Sequence, residues 1–192
     1  MKFNFTIHRN LEGLHAPFSP SQSSWLRYDD TKAAEVYSNR KAAEMGTRLH
    51  KWAKETIDLK LKQPKSKRTI CAYVNDAIGF NMNTEVVLFY SERFFGTADA
   101  ISYKEGPDGR YILRIHDLKT GVTKVHMEQL EIYAALFCLE YRVKPKDIDI
   151  ELRIYQNDTV ICHTPTADDI YEIMDHITHL DKIFEKLDNE EV

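Results

Sequence analysis

The hydrophobic pattern of this chain changes period several times, and this constrains its fold more than any other feature. Apolar residues recur at helical spacing up to residue 78 and alternate with a period of two from residue 84. Helical spacing returns near residue 126, alternation near residue 148, and helical spacing again near residue 167. Helices, three strands, a helix, two strands and a last helix predict an α/β fold. Its mixed central sheet is expected to have helices on both faces.

Local signals give the expected bounds of these elements. Ser19 is expected to be the N-cap of a first helix, with Pro20 at its first position and Gln22 closing a capping box. Turns are expected at 106–109 and 156–158, between consecutive strands. The other predicted elements are helices at about Thr31–Lys60, Thr69–Ile78, His126–Tyr141 and Ala167–Leu187, and strands at Thr84–Ser91, Phe94–Tyr103, Tyr111–Lys119, Ile148–Tyr155 and Thr159–His163.

Length, charge and cysteine content limit the class of protein. A chain of 192 residues is expected to form a single domain, 1–192, and its net charge of −4 offers no overall electrostatic reason to bind nucleic acid. The odd number and wide spacing of Cys71, Cys138 and Cys162 favour reduced thiols over a disulfide framework. No apolar run approaches the ~20 residues of a membrane helix, and the N-terminus does not resemble a signal peptide. A cytoplasmic protein without a membrane partner is therefore expected.

The most informative motif for function is the segment Ile115–Gly121. Asp117 and Lys119 are two residues apart in a predicted strand, so their side chains project from one face. With Asp99 on the neighbouring strand, they would form a site for Mg²⁺ or Mn²⁺, to which the Leu118 carbonyl would add a third oxygen. Lys119 would orient or deprotonate a water, or stabilise developing charge. An isolated acid and lysine in a strand are more often a solvated surface pair.

Other residues would complete this site. His50 follows Gly46 by four residues, so both lie on one helix face, and a neutral His50 would serve as a metal ligand. Gln129 and Tyr133, also four residues apart, would hydrogen-bond a phosphate or hold the metal ligands in place. Glu85 is a further candidate ligand or a neighbour of the ligands, although a charge at a strand edge explains it equally well.

Several basic residues are candidate phosphate contacts. Lys65, Lys67 and Arg68 belong to the densest basic stretch of the chain, and a solvated connector explains that stretch equally well. Arg48 precedes His50 on the same predicted helix, and Lys124 precedes the helix of Gln129. These five residues are expected to contact a nucleic-acid phosphate backbone beside the site.

In their order along the chain, these motifs resemble the PD-(D/E)XK nuclease superfamily, particularly its RecB-like branch. The resemblance covers about residues 19–155 and implies a restriction-endonuclease-like αβββαβ core, with extra N-terminal helices and a C-terminal helix. It also implies a divalent-metal site, with His50, Asp99 and Asp117 as ligands, and DNA cleavage. By the same resemblance Lys119 is catalytic and Gln129 and Tyr133 belong to the site. The matching segments are Gly46–His50, Glu85, Gly96–Asp99, Asp117–Gly121 and Gln129–Tyr133.

The departures from the family pattern refine this expectation. Ala98 replaces the proline of the motif, and three cysteines cannot supply the four that hold an iron–sulfur cluster in several RecB-like nucleases. No cluster is therefore expected. The chain carries no G-x-x-x-x-G-K-[ST] motif, so it looks like a stand-alone nuclease of the kind that phages encode, which would act in the cytoplasm of the host.

The expected function is a Mg²⁺- or Mn²⁺-dependent DNA exonuclease acting in recombination, repair or phage DNA processing. Its partners would be DNA and a recombination protein such as a single-strand annealing protein, and an oligomeric ring would favour processive digestion. One alternative is a structure-selective or single-strand endonuclease. Another, of a different class, is a non-catalytic DNA- or protein-binding module on a nuclease fold.

Overall fold

The structure is a computed structural model that describes residues 9, 13, 16–121 and 125–190. The chain divides into two compact units, 1–45 and 46–192. In the first unit a short 3₁₀-helix, Ser23–Arg27, precedes the long helix α1, Asp30–Asp58, which ends in the second unit. The second unit contains the remaining α-helices and the strands. These are α2 (Thr69–Gly79), β1 (Asn83–Ser91), β2 (Phe94–Glu105), β3 (Tyr111–Leu118), α3 (Glu128–Tyr141), β4 (Ile148–Gln156), β5 (Thr159–His163) and α4 (Ala167–Glu190).

The predicted α-helix start at Ser19 is wrong. The Ser19 hydroxyl lies 2.8 Å from the hydroxyl of Ser21, and the Ser19 carbonyl accepts the backbone N–H of Gln22, which closes a turn. The first α-helix begins eleven residues later, where the Asp29 carboxylate accepts the backbone N–H of Lys32 at 2.7 Å. A capping motif extends into an α-helix only if the following residues continue the helix. Here those residues form only a 3₁₀-helix.

The five strands form one mixed sheet in the order β1-β2-β3-β4-β5. Neighbouring strands are antiparallel except β3 and β4, which are parallel. A parallel pair needs a crossover connection, and α3 lies in that connection. Between β4 and β5 the chain turns at Asn157 and Asp158, whose left-handed φ angles of 48° and 57° suit a two-residue hairpin.

Two apolar clusters show that helices cover both faces of the sheet. On β3, Leu113 and Ile115 belong to a cluster that includes α3 and α4, whereas Leu118 belongs to a cluster that includes α1 and α2. The alternation of side chains along a strand places these two sets on opposite faces. The predicted α/β class, with a mixed sheet flanked by helices, is therefore confirmed. Within the described ranges no helix combines the length and the apolar character needed to cross a membrane.

His116 is a buried histidine on β3 that we expect to make the fold sensitive to acid. Its ring packs against Phe80 and Tyr155, and Nε2 has no hydrogen-bond partner among the described residues. Burial lowers the pKa of His116 to about 3, and the charges of Arg153 and Arg114 act in the same direction. The unfolded chain binds this proton near pH 6.5, so stability is expected to decrease as the pH falls, by about 2 kcal/mol at pH 5.

Denaturant unfolding between pH 5 and 8 tests this expectation. His116→Asn should lower stability at pH 7 but lose less of it than the wild type between pH 7 and pH 5. The matched control is His179→Asn, which removes an exposed histidine from α4 and should follow the wild-type pH dependence. Equal pH dependence in His116→Asn and the wild type would contradict the assignment.

Candidate active site

Glu85, Asp99 and Asp117 lie at corresponding positions of three neighbouring strands. The ladder between β1 and β2 keeps one register on both sides of Glu85, and this register sets Glu85 opposite Asp99. The ladder between β2 and β3 ends one position before Asp99 and Asp117, which would face each other next in the same register. We call these three residues the acidic row. It contributes one carboxylate from each of three adjacent strands.

The backbone is irregular along the acidic row. Glu85 has a left-handed φ of 52°, which is uncommon for a residue with a side chain, and the β1–β2 ladder skips the pair that it would form with Asp99. The Oδ2 atom of Asp99 accepts the backbone N–H of Leu118 at 3.0 Å. The carboxylate thus occupies a place that a strand partner would otherwise fill, and it is fixed beside the end of β3. Local strain of this kind often accompanies functional sites.

Asp117 is the buried member of the row, with 4% of its surface exposed. Its Oδ1 accepts a hydrogen bond from Lys119 Nζ at 3.1 Å. Its Oδ2 lies 3.1 Å from the same ammonium group, but it has no partner of hydrogen-bond geometry among the described residues. Burial and the charge of Asp99 raise the pKa of Asp117, while Lys119 and His50 oppose that shift. A buried carboxylate oxygen without a donor is costly, and a bound cation would relieve this cost.

Lys119 is held between β3 and α3. Besides its bond to Asp117, its ammonium donates to Gln129 Oε1 at 2.8 Å, and Gln129 Nε2 donates to the Tyr133 hydroxyl at 3.4 Å. The backbone N–H of Lys119 donates to the Tyr155 carbonyl of β4. Four of the predicted site residues therefore form one hydrogen-bonded chain. The ammonium group is held by Asp117 on one side and by Gln129 on the other.

His50 brings α1 to the same place. Its Nδ1 lies 3.4 Å from Asp99 Oδ2, and both side chains are partly exposed. The hydrogen bond to Asp99 is the main cause that raises the pKa of His50; burial opposes it, and Asp117 and Glu85 add to it. Glu85 is exposed, and its contribution to this pKa shift is the smallest of those named.

Two glycines allow the elements of the site to approach closely. A Cβ atom added at Gly46 would lie 2.7 Å from Oγ1 of Thr120, and one at Gly96 would lie 2.8 Å from Cε1 of Tyr133. Both distances are too short for real atoms, so each position requires glycine unless its neighbour moves. The atom that approaches Gly46 belongs to Thr120, the residue after Lys119.

Other residues predicted for the site are less closely connected to it. Arg48 is exposed on α1, and Lys65, Lys67 and Arg68 are exposed in the connector between α1 and α2. Lys124 lies outside the described residues. Leu118 has a buried side chain and contributes its backbone N–H to Asp99.

Tyr73 of α2 is a neighbour of the site that sequence reasoning missed. It is buried, and burial followed by the charges of Asp99, Asp117 and Glu85 raises the pKa of its hydroxyl. Its sequence context is an apolar helix, in which nothing distinguishes a tyrosine near an active site from one in the core. Thr120 was also missed as the packing partner of Gly46.

The side chains fit a hard divalent cation by their chemistry. Carboxylate oxygens are the preferred ligands of Mg²⁺ and Mn²⁺, and the unpartnered Oδ2 of Asp117 is a buried acceptor of this kind. Among the described residues, no three His, Cys, Asp or Glu side chains form a group ready to hold a metal ion. The residues that would hold a cation are Asp99, Asp117 and His50, with Glu85 nearby. Comparisons of the chain with protein-family models, with curated proteins and with solved structures return no match.

Proposed function

We propose that this chain is a metal-dependent deoxyribonuclease that hydrolyses phosphodiester bonds from DNA ends. The observation that carries the proposal is the acidic row on three adjacent strands, with Lys119 fixed between Asp117 and Gln129. Apart from the additional helix α2, the order α1, β1–β3, α3 and β4 also agrees with the αβββαβ core of the RecB-like PD-(D/E)XK nucleases that the motifs resemble. The acidic row and the family motifs involve the same residues, so one set of variants tests the proposal.

Each residue has a definable task in this reaction. Asp99, Asp117 and His50 would hold Mg²⁺ or Mn²⁺, which lowers the pKa of a bound water and polarises a phosphate oxygen. Lys119 carries a positive charge beside Asp117, where it would stabilise the negative charge that develops on the scissile phosphate. Gln129 and Tyr133 position that ammonium through their hydrogen bonds.

The preference for DNA ends is inferred from the resemblance to stand-alone phage exonucleases. Such an enzyme would act in recombination, repair or phage DNA processing, with a single-strand annealing protein as a partner. The test uses purified protein with end-labelled linear and closed circular DNA, each single- and double-stranded, in Mg²⁺, Mn²⁺ or EDTA. We expect metal-dependent loss of linear DNA only. Cutting of closed circles would identify an endonuclease instead, and binding without cleavage in any metal would identify a binding module.

Gly46→Ala is expected to slow cleavage by up to about a hundredfold, because it forces the hydroxyl of Thr120, the residue after Lys119, to move. The added methyl group would lie 2.7 Å from Thr120 Oγ1 but 3.9 Å from Thr120 Cβ, so the conflict is with the hydroxyl alone. Alanine gains about 1 kcal/mol over glycine in helix propensity, so we expect the thermal stability to be retained. The measurement is the single-turnover cleavage rate, together with the thermal unfolding midpoint.

The double variant Gly46→Ala/Thr120→Ala makes this expectation specific. It removes the atom in conflict and should recover most of the rate of Thr120→Ala alone. Gly79→Ala is the matched control, since no described atom lies within 4 Å of the position that its added methyl group would occupy. A double variant as slow as Gly46→Ala would show that the Thr120 hydroxyl is not the cause.

A further inference from the structure

A patch of exposed apolar side chains extends from the acidic row along β1 and β2. Val87, Phe89 and Phe95 are exposed by 54%, 46% and 62%. Val87 faces Thr97 and Phe89 faces Phe95, so the four residues form two adjoining cross-strand pairs. The two phenyl rings have centroids 6.4 Å apart and planes inclined by 32°. We call these four residues the aromatic strip.

The aromatic strip lies on the face of the sheet to which Asp99 points. Gly96 packs against α3, so the alternation along β2 directs Phe95 and Thr97 to the opposite face. Asp99 is the next residue in this alternation, and it contacts His50 of α1. The aromatic strip is therefore continuous with Asp99, one member of the acidic row, along β2 and on one face of the sheet.

From this continuity we propose that the aromatic strip stacks the unpaired bases of a DNA strand whose backbone enters the acidic row. The proposal rests on the nuclease function proposed above and adds the substrate class, which is single-stranded DNA or a duplex end with splayed strands. In the interior of an intact duplex the faces of the bases are covered by their neighbours, so away from the ends exposed rings can stack only on bases that have been freed. Stacking on aromatic rings tolerates any base sequence.

The distance along β2 between Phe95 and Asp99 suits a DNA strand that contacts both the aromatic strip and the acidic row. Phe95 precedes Asp99 by four residues, which corresponds to about 13 Å at 3.3 Å per residue. Stacked nucleotides of one strand are 3.4 Å apart, so about four of them would span this distance. Bases on the strip would then belong to the strand whose phosphate lies at the acidic row. Exposed apolar surface is unfavourable in water, so a contiguous apolar patch beside a candidate site favours a ligand.

Pairing of β1 with a second copy of the chain is the competing use of this region, and three features oppose it. The Glu140 carboxylate accepts the backbone N–H of Phe89 at 2.8 Å, which occupies a donor that an added strand would need. The ladder shifts register between Phe89 and Ser91, and Glu85 has a left-handed backbone. Such irregularities protect an edge strand against edge-to-edge association. They leave the phenyl rings on the face accessible.

The test is DNA binding by the full chain in EDTA, where cleavage does not interfere. Fluorescence anisotropy compares a labelled oligothymidine of about twelve nucleotides with a blunt duplex of the same length. Phe89→Leu and Phe95→Leu remove a ring but keep an apolar side chain, and each is expected to weaken single-strand binding about tenfold. Duplex binding should stay within about twofold of the wild type. Phe95→Tyr keeps the ring and should bind like the wild type.

A matched control and a measure of oligomeric state complete the design. Tyr141→Leu removes an aromatic residue that is 53% exposed at the end of α3, and it should not change single-strand binding. Three results would each overturn the proposal. Binding could be unchanged in both phenylalanine variants, or the variants could lose duplex and single-strand binding equally. The third result is a wild-type dimer that Phe95→Leu converts to a monomer. If the wild type cleaves DNA in these cases, the nuclease function survives. A wild type that neither binds nor cleaves DNA overturns both.

Discussion

Replacing Asp117 by Asn is expected to abolish DNA cleavage, a loss of at least about a thousandfold, while the protein stays folded. The substitution removes one of the two carboxylates nearest to Lys119 and His50, and with it the buried oxygen best suited to a cation. It changes neither the volume of the side chain nor the path of β3. A loss of activity would therefore reflect chemistry rather than unfolding.

The stability of the same variant gives a second, independent readout. Because burial and Asp99 raise the pKa of Asp117, its ionised form destabilises the fold without a cation. That destabilisation is absent below the ordinary pKa and develops as the pH rises through the folded-state value. Asp117→Asn lacks this titration, so its unfolding midpoint in EDTA at pH 7 should equal or exceed that of the wild type.

The matched control for Asp117→Asn is Asp149→Asn. Asp149 is a partly exposed carboxylate on β4 that pairs with Arg110 at 3.1 Å, and losing such a surface pair costs about 1 kcal/mol or less. This control should cleave DNA like the wild type. If Asp117→Asn retained metal-dependent cleavage, the acidic row would not be the active site, and a different group of residues would have to be sought.

Much of the fold could be predicted because the apolar period changes wherever the element type changes. The strand prediction Thr159–His163 matches β5, and the prediction Phe94–Tyr103 falls within β2. The predicted start of the long helix, Thr31, is one residue from the start of α1 at Asp30, but the additional helix start predicted at Ser19 is wrong, because only the capping residue Asp29 precedes residues that continue as an α-helix. Local capping signals do not show which candidate helix will extend.

The candidate site could be predicted only as a set of residue types. The spacing of Asp117 and Lys119 in one strand is enough to place both on one side, and their contact is observed. The alignment of Glu85 with Asp99 depends on strand register, which tertiary packing determines and a single sequence does not specify. The same limitation applies to the aromatic strip, since Phe89 and Phe95 become neighbours only through that register.

Opposite charges hold the members of the site together. Three carboxylates in one row repel one another, and the positive charges of Lys119 and a protonated His50 offset part of this repulsion. With a divalent cation held by the carboxylates, the ammonium of Lys119 would be available to the substrate. The role of Lys119 can therefore be separated from that of the carboxylates by measuring metal binding and cleavage on the same variant.

Lys119→Ala is the variant that separates them. We expect its cleavage rate to fall by about a hundredfold or more, because the charge that stabilises the scissile phosphate is lost. Its fold should be unaffected, since the Lys119 side chain is about one-third exposed and its backbone bond to Tyr155 remains. Mn²⁺ affinity, measured by calorimetry, should stay close to the wild-type value, because Asp99 and Asp117 keep their oxygens.

Gln129→Ala provides the matched comparison for Lys119→Ala. Gln129 Oε1 accepts a hydrogen bond from the Lys119 ammonium at 2.8 Å but contributes no charge. Removal of the Gln129 side chain should therefore reduce the cleavage rate by about tenfold. The ammonium would still be bonded to Asp117, which limits the loss. A wild-type cleavage rate in Lys119→Ala would remove the lysine from the mechanism. A joint loss of Mn²⁺ binding and cleavage would instead mean that Lys119 maintains the geometry of the carboxylates and has no separate part in the chemistry.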